Sequence, residues 1–329
     1  MQVHLHQEPG FRNDLLITIA LAEVEAVLLQ IGHRERLMQQ PGLTRHRELS
    51  PEEREANRSC KISLEEQLKA AGLHDPAGRP LRPVIAIGNR NLGNNHGVVA
   101  WQDDQTPRFF HIQGDPLNFP AYSCLVAQRD GRLAIRDLRF PENALRVHDV
   151  EEDRDLTEYV AWATYGQRVL RRGQVVNIEE IIDEFYDIRH VLAYDHNRPE
   201  GRKIASDLYH DYPDKFRVNA LRAWRDLGVP RNRYLHSCIG LSNESVFILQ
   251  REGTPEELAH WLSEAGAIDG IILDNGGSVA CWAWWIYPQG GFLFSAPDYR
   301  PPASSILAFV LKGPVGVKLP GGSLGYTIV

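Results

Sequence analysis

The chain has 329 residues, 43% of them hydrophobic and 24% charged, with a formal net charge of −7. That length buries a substantial core, as one large domain or two ordinary ones, and the composition is that of a globular protein. The negative balance, with no basic run interleaved with aromatics, excludes a nonspecific nucleic-acid binder and leaves an anionic small molecule only to a local cationic site.

The N-terminal stretch Leu15–Ala22 is apolar but short, and Glu23 and Glu25 interrupt it. It is too short to span a membrane and lacks signal-peptide flanks, so a cytoplasmic protein with no membrane partner is expected. Cys60, Cys124, Cys238 and Cys281 stand far apart with no Cys-x-x-Cys pair. That spacing fits reduced, buried thiols rather than a disulfide frame or a zinc knuckle.

In chain order, residues 1–6 alternate apolar and polar, and residues 15–29 hold β-branched runs for one or two strands. Residues 33–58 are strongly charged, and Ser50-Pro51-Glu52-Glu53 predicts a helix start with Ser as cap and Pro at the first position. Residues 63–71 predict a second helix. Pro83–Ile87 is a short strand that opens into an Asn- and Gly-rich loop, Gly88 to Gly97, and Val98–Trp101 resumes a strand. Further strands are predicted at 123–128, 133–135 and 169–170, with Gly131 and Gly173 as turn residues.

Residues 174–233 read as a helical insertion, because Ile178, Ile181, Ile182, Phe185 and Ile188 recur at helical spacing. Strands return at 237–241, 246–249, 271–273, 292–294 and 306–311. Between them Thr254-Pro255-Glu256-Glu257 opens a helix that Gly266 ends.

The densest chemistry lies in Gly270-Ile271-Ile272-Leu273-Asp274-Asn275-Gly276-Gly277-Ser278. Three apolar residues drive a buried strand whose end delivers a carboxylate, an amide, two glycines and a hydroxyl. Consecutive glycines let backbone N–H groups approach an anion closely, beside one carboxylate oxygen. The same residues also suit a plain tight turn in which Asp274 caps its own loop.

From residue 235 onward the order of the pieces resembles the phosphodiester glycosidase family. The landmarks are His236-Ser237-Cys238-Ile239-Gly240, a helix at 254–265, Leu273-Asp274-Asn275-Gly276-Gly277-Ser278, and Arg300-Pro301-Pro302-Ala303-Ser304-Ser305 before a final strand. Upstream, Gln167–Gly173 is similar to a hairpin of that family, and Ile85–Asn89 to the strand that ends in its Asn-Gly-Gly turn. The sequence departs from the family's pattern at Asn275, within the glycine triplet, and at His236, where Arg is usual.

The resemblance implies an α+β fold, a mixed sheet with surrounding helices over 1–329 as one domain. The chain's own pattern adds N-terminal strands and a charged helical segment over 1–80 and the helical insertion at about 174–233, which has no counterpart in that family. It implies hydrolysis of a glycosyl phosphodiester, with Asp274 and His236 as catalytic candidates. Asn89, Asn91, Asn275, Gly276, Gly277, Ser278 and Arg300 are the substrate-binding candidates. Asp274 suits a base for water or a nucleophile, the glycines and Ser278 suit donors to phosphate, and Arg300 offers a planar fork for phosphate oxygens.

Each candidate has a plainer reading beside it: His236 as a buried structural histidine, Arg300 as a solvated loop residue, the asparagines as turn formers. Trp282, Trp284 and Trp285 could stack on a sugar, though such spacing more often serves packing. No cofactor is expected. A carboxylate among hydroxyl and amide oxygens could hold Mg²⁺ or Ca²⁺, but no loop matches a recognised cation motif. Two other functions stay open: a catalytically silent glycan- or nucleotide-binding module, and a scaffold that recruits a partner through the insertion. The oligomeric state is not legible.

Overall fold

A computed structural model describes residues 2–6, 15–31, 72–73, 81–89, 98–101, 107–109, 122–139, 146–176, 234–275, 279–283, 291–296, 305–313, 316–318 and 326–327. Their strands in chain order are β1 (Gln2–His6), β2 (Leu15–Ala20), β3 (Val24–Ile31), β4 (Val84–Asn89), β5 (Val98–Trp101), β6 (Pro107–Phe109), β7 (Tyr122–Gln128) and β8 (Leu133–Arg139). Then come β9 (His148–Asp149), β10 (Arg154–Asp155), β11 (Val160–Tyr165), β12 (Gln167–Arg171), β13 (Gln174–Val175), β14 (Tyr234–Leu241) and β15 (Ser245–Gly253). The helix α1 (Pro255–Glu264) precedes β16 (Asp269–Asn275), β17 (Ala280–Ala283), β18 (Gly291–Ser295), β19 (Ser305–Leu311), β20 (Gly316–Lys318) and β21 (Tyr326–Thr327).

These strands form three sheets. Nine run β13-β12-β16-β14-β15-β2-β1-β20-β21, seven run β10-β9-β8-β7-β11-β5-β6, and five run β18-β17-β4-β19-β3. The expected α+β architecture with surrounding helices is therefore corrected. Among the described residues the fold is dominated by β-sheet, and α1 is the one α-helix. Apolar runs buried on both faces prevail there, as in β4, β17 and β19, and strands such as β11 and β17 add to the sheets where no element was expected. Residues 174–176, expected to open the helical insertion, instead close a hairpin on β12 through β13. Residues 177–233, the helix start expected at 50–53 and the helix expected at 63–71 lie outside the described residues.

One apolar core is shared by all three sheets. Ile17, Ile239, Ile248 and Ile271 of the nine-stranded sheet meet Leu125, Ile135 and Trp162 of the seven-stranded sheet and Ile87, Cys281, Leu307 and Phe309 of the five-stranded sheet. The opposite face of the nine-stranded sheet packs Cys238, Phe247, Leu249 and Ile272 against Leu258, Ala259 and Leu262 of α1. That helix starts where its chemistry dictates: Thr254 accepts from Glu257 N, and Glu257 reaches back to Thr254 N, closing a capping box with Pro255 behind it. Trp282 is buried in a third apolar cluster on the five-stranded sheet with Ala86, Ile306 and Ala308.

Gly131 (φ 87) and Gly173 (φ 80) occupy the left-handed region at the predicted hairpin turns. No helix of the described residues is long and apolar enough to cross a membrane.

Polar bonds tie the sheets to one another. Trp162 Nε1 donates to Val27 O at 3.1 Å, joining the seven-stranded to the five-stranded sheet. Gln250 Nε2 donates to Ala280 O at 3.0 Å, joining the nine-stranded to the five-stranded sheet. The chain itself passes from β11 to β12, and so between the seven- and nine-stranded sheets, at Gly166, whose N–H donates to Ser123 O at 3.0 Å.

A Cβ at Gly166 would collide with Ile272 O and stand 2.7 Å from Ile271 Cγ1. Both obstacles belong to the central strand β16, so neither can retreat cheaply. Gly166→Ala is expected to destabilise the protein by about 2 kcal/mol or more, the cost of overpacking, measured as a lowered midpoint in urea unfolding.

Candidate active site

Strand β16 is central in the nine-stranded sheet, between β12 and β14. Its pairing with β14 matches Ile271 to Ile239 and Ile272 to Cys238, then Asp274 to Ser237 and Asn275 to His236, with a register shift between Ser237 and Cys238. Leu273 is the extra residue. In a regular strand Asp274 would share the face of Ile272, toward α1. The bulge turns it over. Paired with Ser237, Asp274 joins the face of Ile239 and Ile271, toward the shared core, and is only 4% exposed. Bulges re-aim side chains in this way.

Two buried polar residues share that face. Ser237 pairs across β15 with Gln250, and Gln250 Nε2 donates to Ser237 Oγ at 3.2 Å as well as to Ala280 O. Sequence reading did not pick out either residue. The available signal was a Gln at a position where Val246 and Ile248 set an inward apolar period.

The ends of several strands gather here. Three residues, 276–278, carry the chain from Asn275 to Val279, and Cys281 two residues on pairs with Ile87 of β4. Strand β4 lies against β16 and ends at Asn89, which pairs with Ser305, the first residue of β19. Ala296, just beyond β18, donates its N–H to Val279 O. The flanks of the expected cradle and of the Arg300 segment thus stand at one end of the sheets, together with Asn89 and Asp274. Gly276, Gly277, Ser278, Asn91 and Arg300 themselves lie outside the described residues.

The second catalytic candidate does not join the first. His236 shares the face of Cys238, toward α1, and its cross-strand partner Arg251 stacks on the Trp261 ring of that helix at 3.5 Å. It is 1% exposed, and burial pushes its pKa down to about 3. Asp274 and His236 are separated by the sheet.

At the far end of β16 lies an ion-pair network. Arg168, 2% exposed, reaches Asp137 (3.1 Å), Glu151 (3.4 Å) and Asp269 (2.7 Å), while Arg171 also holds Asp137 at 3.0 Å and Ser123 Oγ donates to Asp137 at 2.7 Å. Burial works against the Arg168 charge, but Asp137, Asp269 and Glu151 outweigh it and hold the pKa above the ordinary arginine value. Burial raises the thiol pKa values of Cys124, Cys238 and Cys281, which are free and inert. Among the described residues no group of three or more His, Cys, Asp or Glu could hold a metal ion.

No protein-family model and no curated protein matches the chain. Among solved structures it is similar to the catalytic domain of zebrafish N-acetylglucosamine-1-phosphodiester alpha-N-acetylglucosaminidase, auto-inhibited by its pro-peptide. The identity is 13%, over 94% of this chain and 82% of that one, with a TM-score of 0.45. It is also similar to a hypothetical protein from Synechocystis at 10% identity, over 94% of this chain and 61% of that one, with a TM-score of 0.35. Both likenesses are distant and say nothing about the site.

His236 gives the protein a pH dependence with a definite sign. The unfolded chain takes up this proton near pH 6.5 and the folded chain only near pH 3, so the stability it contributes is present above about pH 6.5 and drains as pH falls toward 3. The expected slope is at most ~1.4 kcal/mol per pH unit. Urea unfolding of wild type and His236→Gln between pH 7 and 4 should show a shallower decline in the variant.

Proposed function

We propose that the protein hydrolyses a glycosyl phosphodiester, a sugar-1-phosphate type of linkage, in a cleft built around Asp274-Asn275-Gly276-Gly277-Ser278. The observation that supports this reading is the bulge that takes Asp274 off the helix face, on a strand that lies against β4 and leads in sequence to Gly276-Gly277-Ser278. An Asp-x-Gly-Gly-Ser turn after a buried strand supplies both kinds of group the reaction asks for.

The chemistry suits a site with one carboxylate. A phosphate monoester leaves as a stable anion, so strong protonation of the leaving oxygen is less necessary than for an ordinary glycoside. In the water route Asp274 accepts a proton from water, the water oxygen bonds to the anomeric carbon, and the bond from that carbon to the phosphate oxygen breaks with its electron pair staying on phosphate. In the nucleophile route Asp274 bonds to the anomeric carbon as the phosphate leaves with the bonding pair. In a second step water bonds to that carbon, the ester bond to Asp274 breaks and the water's proton goes to solvent.

In either route backbone N–H groups of Gly276 and Gly277, the Ser278 hydroxyl and the Arg300 guanidinium would meet the phosphate charge. Asn89, Asn91 and Asn275 would take sugar hydroxyls. His236, neutral down to about pH 3 and behind the sheet, has no part in the proton transfers of this scheme.

A panel of methyl phosphodiesters of hexose and N-acetylhexosamine 1-phosphates, with nucleotide sugars alongside, tests the reading. Wild type should release free sugar from at least one, and Asp274→Asn should lose about 10³-fold or more in kcat/KM. Full activity in Asp274→Asn refutes the assignment, and binding without turnover in wild type favours a silent glycan- or nucleotide-binding module.

A further inference from the structure

The two residues that share the Asp274 face have hydrogen-bonding capacity left over. Gln250 Nε2 spends its protons on Ser237 Oγ and Ala280 O. Because the Ala280 carbonyl can only accept, the orientation of the amide is set. Gln250 Oε1 is then a buried acceptor that meets no donor among the described residues. Ser237 Oγ accepts from Gln250, so its own O–H points elsewhere, and it makes no second hydrogen bond among the described residues. Both residues are 0% exposed. One donor and one acceptor, buried side by side, carry the desolvation penalty of unmade bonds.

We propose that Ser237 and Gln250 hold one water molecule against the Asp274 carboxylate, and that this water orients the carboxylate and keeps it charged. A water accepts from the Ser237 O–H and donates one proton to Gln250 Oε1 and the other to Asp274, which meets the two to four partners a buried water needs. Ser237 and Asp274 are register partners on one face, so their side chains stand about 5 Å apart at Cβ, close enough for one bridging oxygen. Ser237 and Gln250 are thus positioning residues that act through the water. The inference rests on the reading of Asp274 as the functional carboxylate.

Among the described residues, the nearby charged and titratable groups face elsewhere or are engaged. His236 and Arg251 lie on the opposite face, and Cys281 on β17 is a thiol that burial keeps protonated. Arg168 on β12 is engaged with Asp137, Glu151 and Asp269.

The test labels aspartate carboxyl carbons with ¹³C in the whole protein and follows the Asp274 titration by NMR in wild type, Ser237→Ala, Ser237→Thr and Gln250→Met. A donor to a carboxylate favours its charged form, so losing the water raises the pKa. An upward shift of about one unit is expected in Ser237→Ala and Gln250→Met, with the wild-type value kept in Ser237→Thr. On a responsive substrate the acidic limb of the kcat/KM profile should move up in pH by the same amount. An Asp274 titration unchanged in both Ser237→Ala and Gln250→Met overturns the proposal.

If those variants do not fold, a wild-type crystal structure that resolves waters decides. An oxygen within hydrogen-bonding distance of Ser237 Oγ, Gln250 Oε1 and the Asp274 carboxylate supports the proposal, and no such oxygen refutes it. A wild type that cleaves no glycosyl phosphodiester sinks the functional reading alone, because the titration and the crystal structure need no turnover.

Discussion

Arg168 leaves β12 into the gap between the nine-stranded and seven-stranded sheets, where its Nη atoms reach Asp137 on one side and Asp269 on the other. A guanidinium this buried is tolerable only where carboxylates meet it with good geometry, and removing one partner of such a pair typically costs ~3–5 kcal/mol. Its value lies less in net stability than in specificity. Greasy sheets can slide over one another at little expense, whereas a buried charge has one place to be. Two residues earlier, Gly166 lets the chain turn from one sheet to the next against the backbone of β16. The corner and the ion pairs together fix where β16 runs, and every position at its far end follows.

The site is an outcome of that placement. With β16 pinned at Asp269, the bulge after Ile272 decides which face receives Asp274. The same bulge separates the carboxylate from His236, so that one strand end presents an acid to the shared core and its neighbour presents a neutral imidazole to α1. Gln250 serves two purposes there, tying β15 to the five-stranded sheet through Ala280 and ordering the polar face beside Asp274. On the proposed scheme stability and chemistry draw on the same amide, so variation at Gln250 would affect both.

Much of the secondary structure was legible along the chain. The alternation before residue 7, the runs at 15–29, the strands around 239, 248, 272 and 309, and the Thr254-Pro255 helix start all appear where local patterning put them. β11 was not foreseen: apolar on both faces and bulged between Val160 and Trp162, it shows no clean period. Among the described residues the helical reading reached too far only at residues 174–176, which the turn at Gly173 claims for the hairpin of β12 and β13. Asp274 stood out because its neighbours in sequence are unusual. Ser237 and Gln250 did not, because they meet only through strand pairing, thirteen residues apart. The bulge was equally hidden, since Ile271-Ile272-Leu273 is apolar whichever face each side chain takes.

The indole of Trp162 has a consequence at the rim of the molecule. Strand β3 is the outermost of the five-stranded sheet among the described strands, eight residues rich in Val and Leu, the profile on which foreign chains can template themselves. Its Val27 carbonyl is already taken by Trp162 from a different sheet. An incoming strand laid along β3 would have to evict that indole to complete its ladder, so the bond that joins two sheets also guards a margin against fibrillar recruitment.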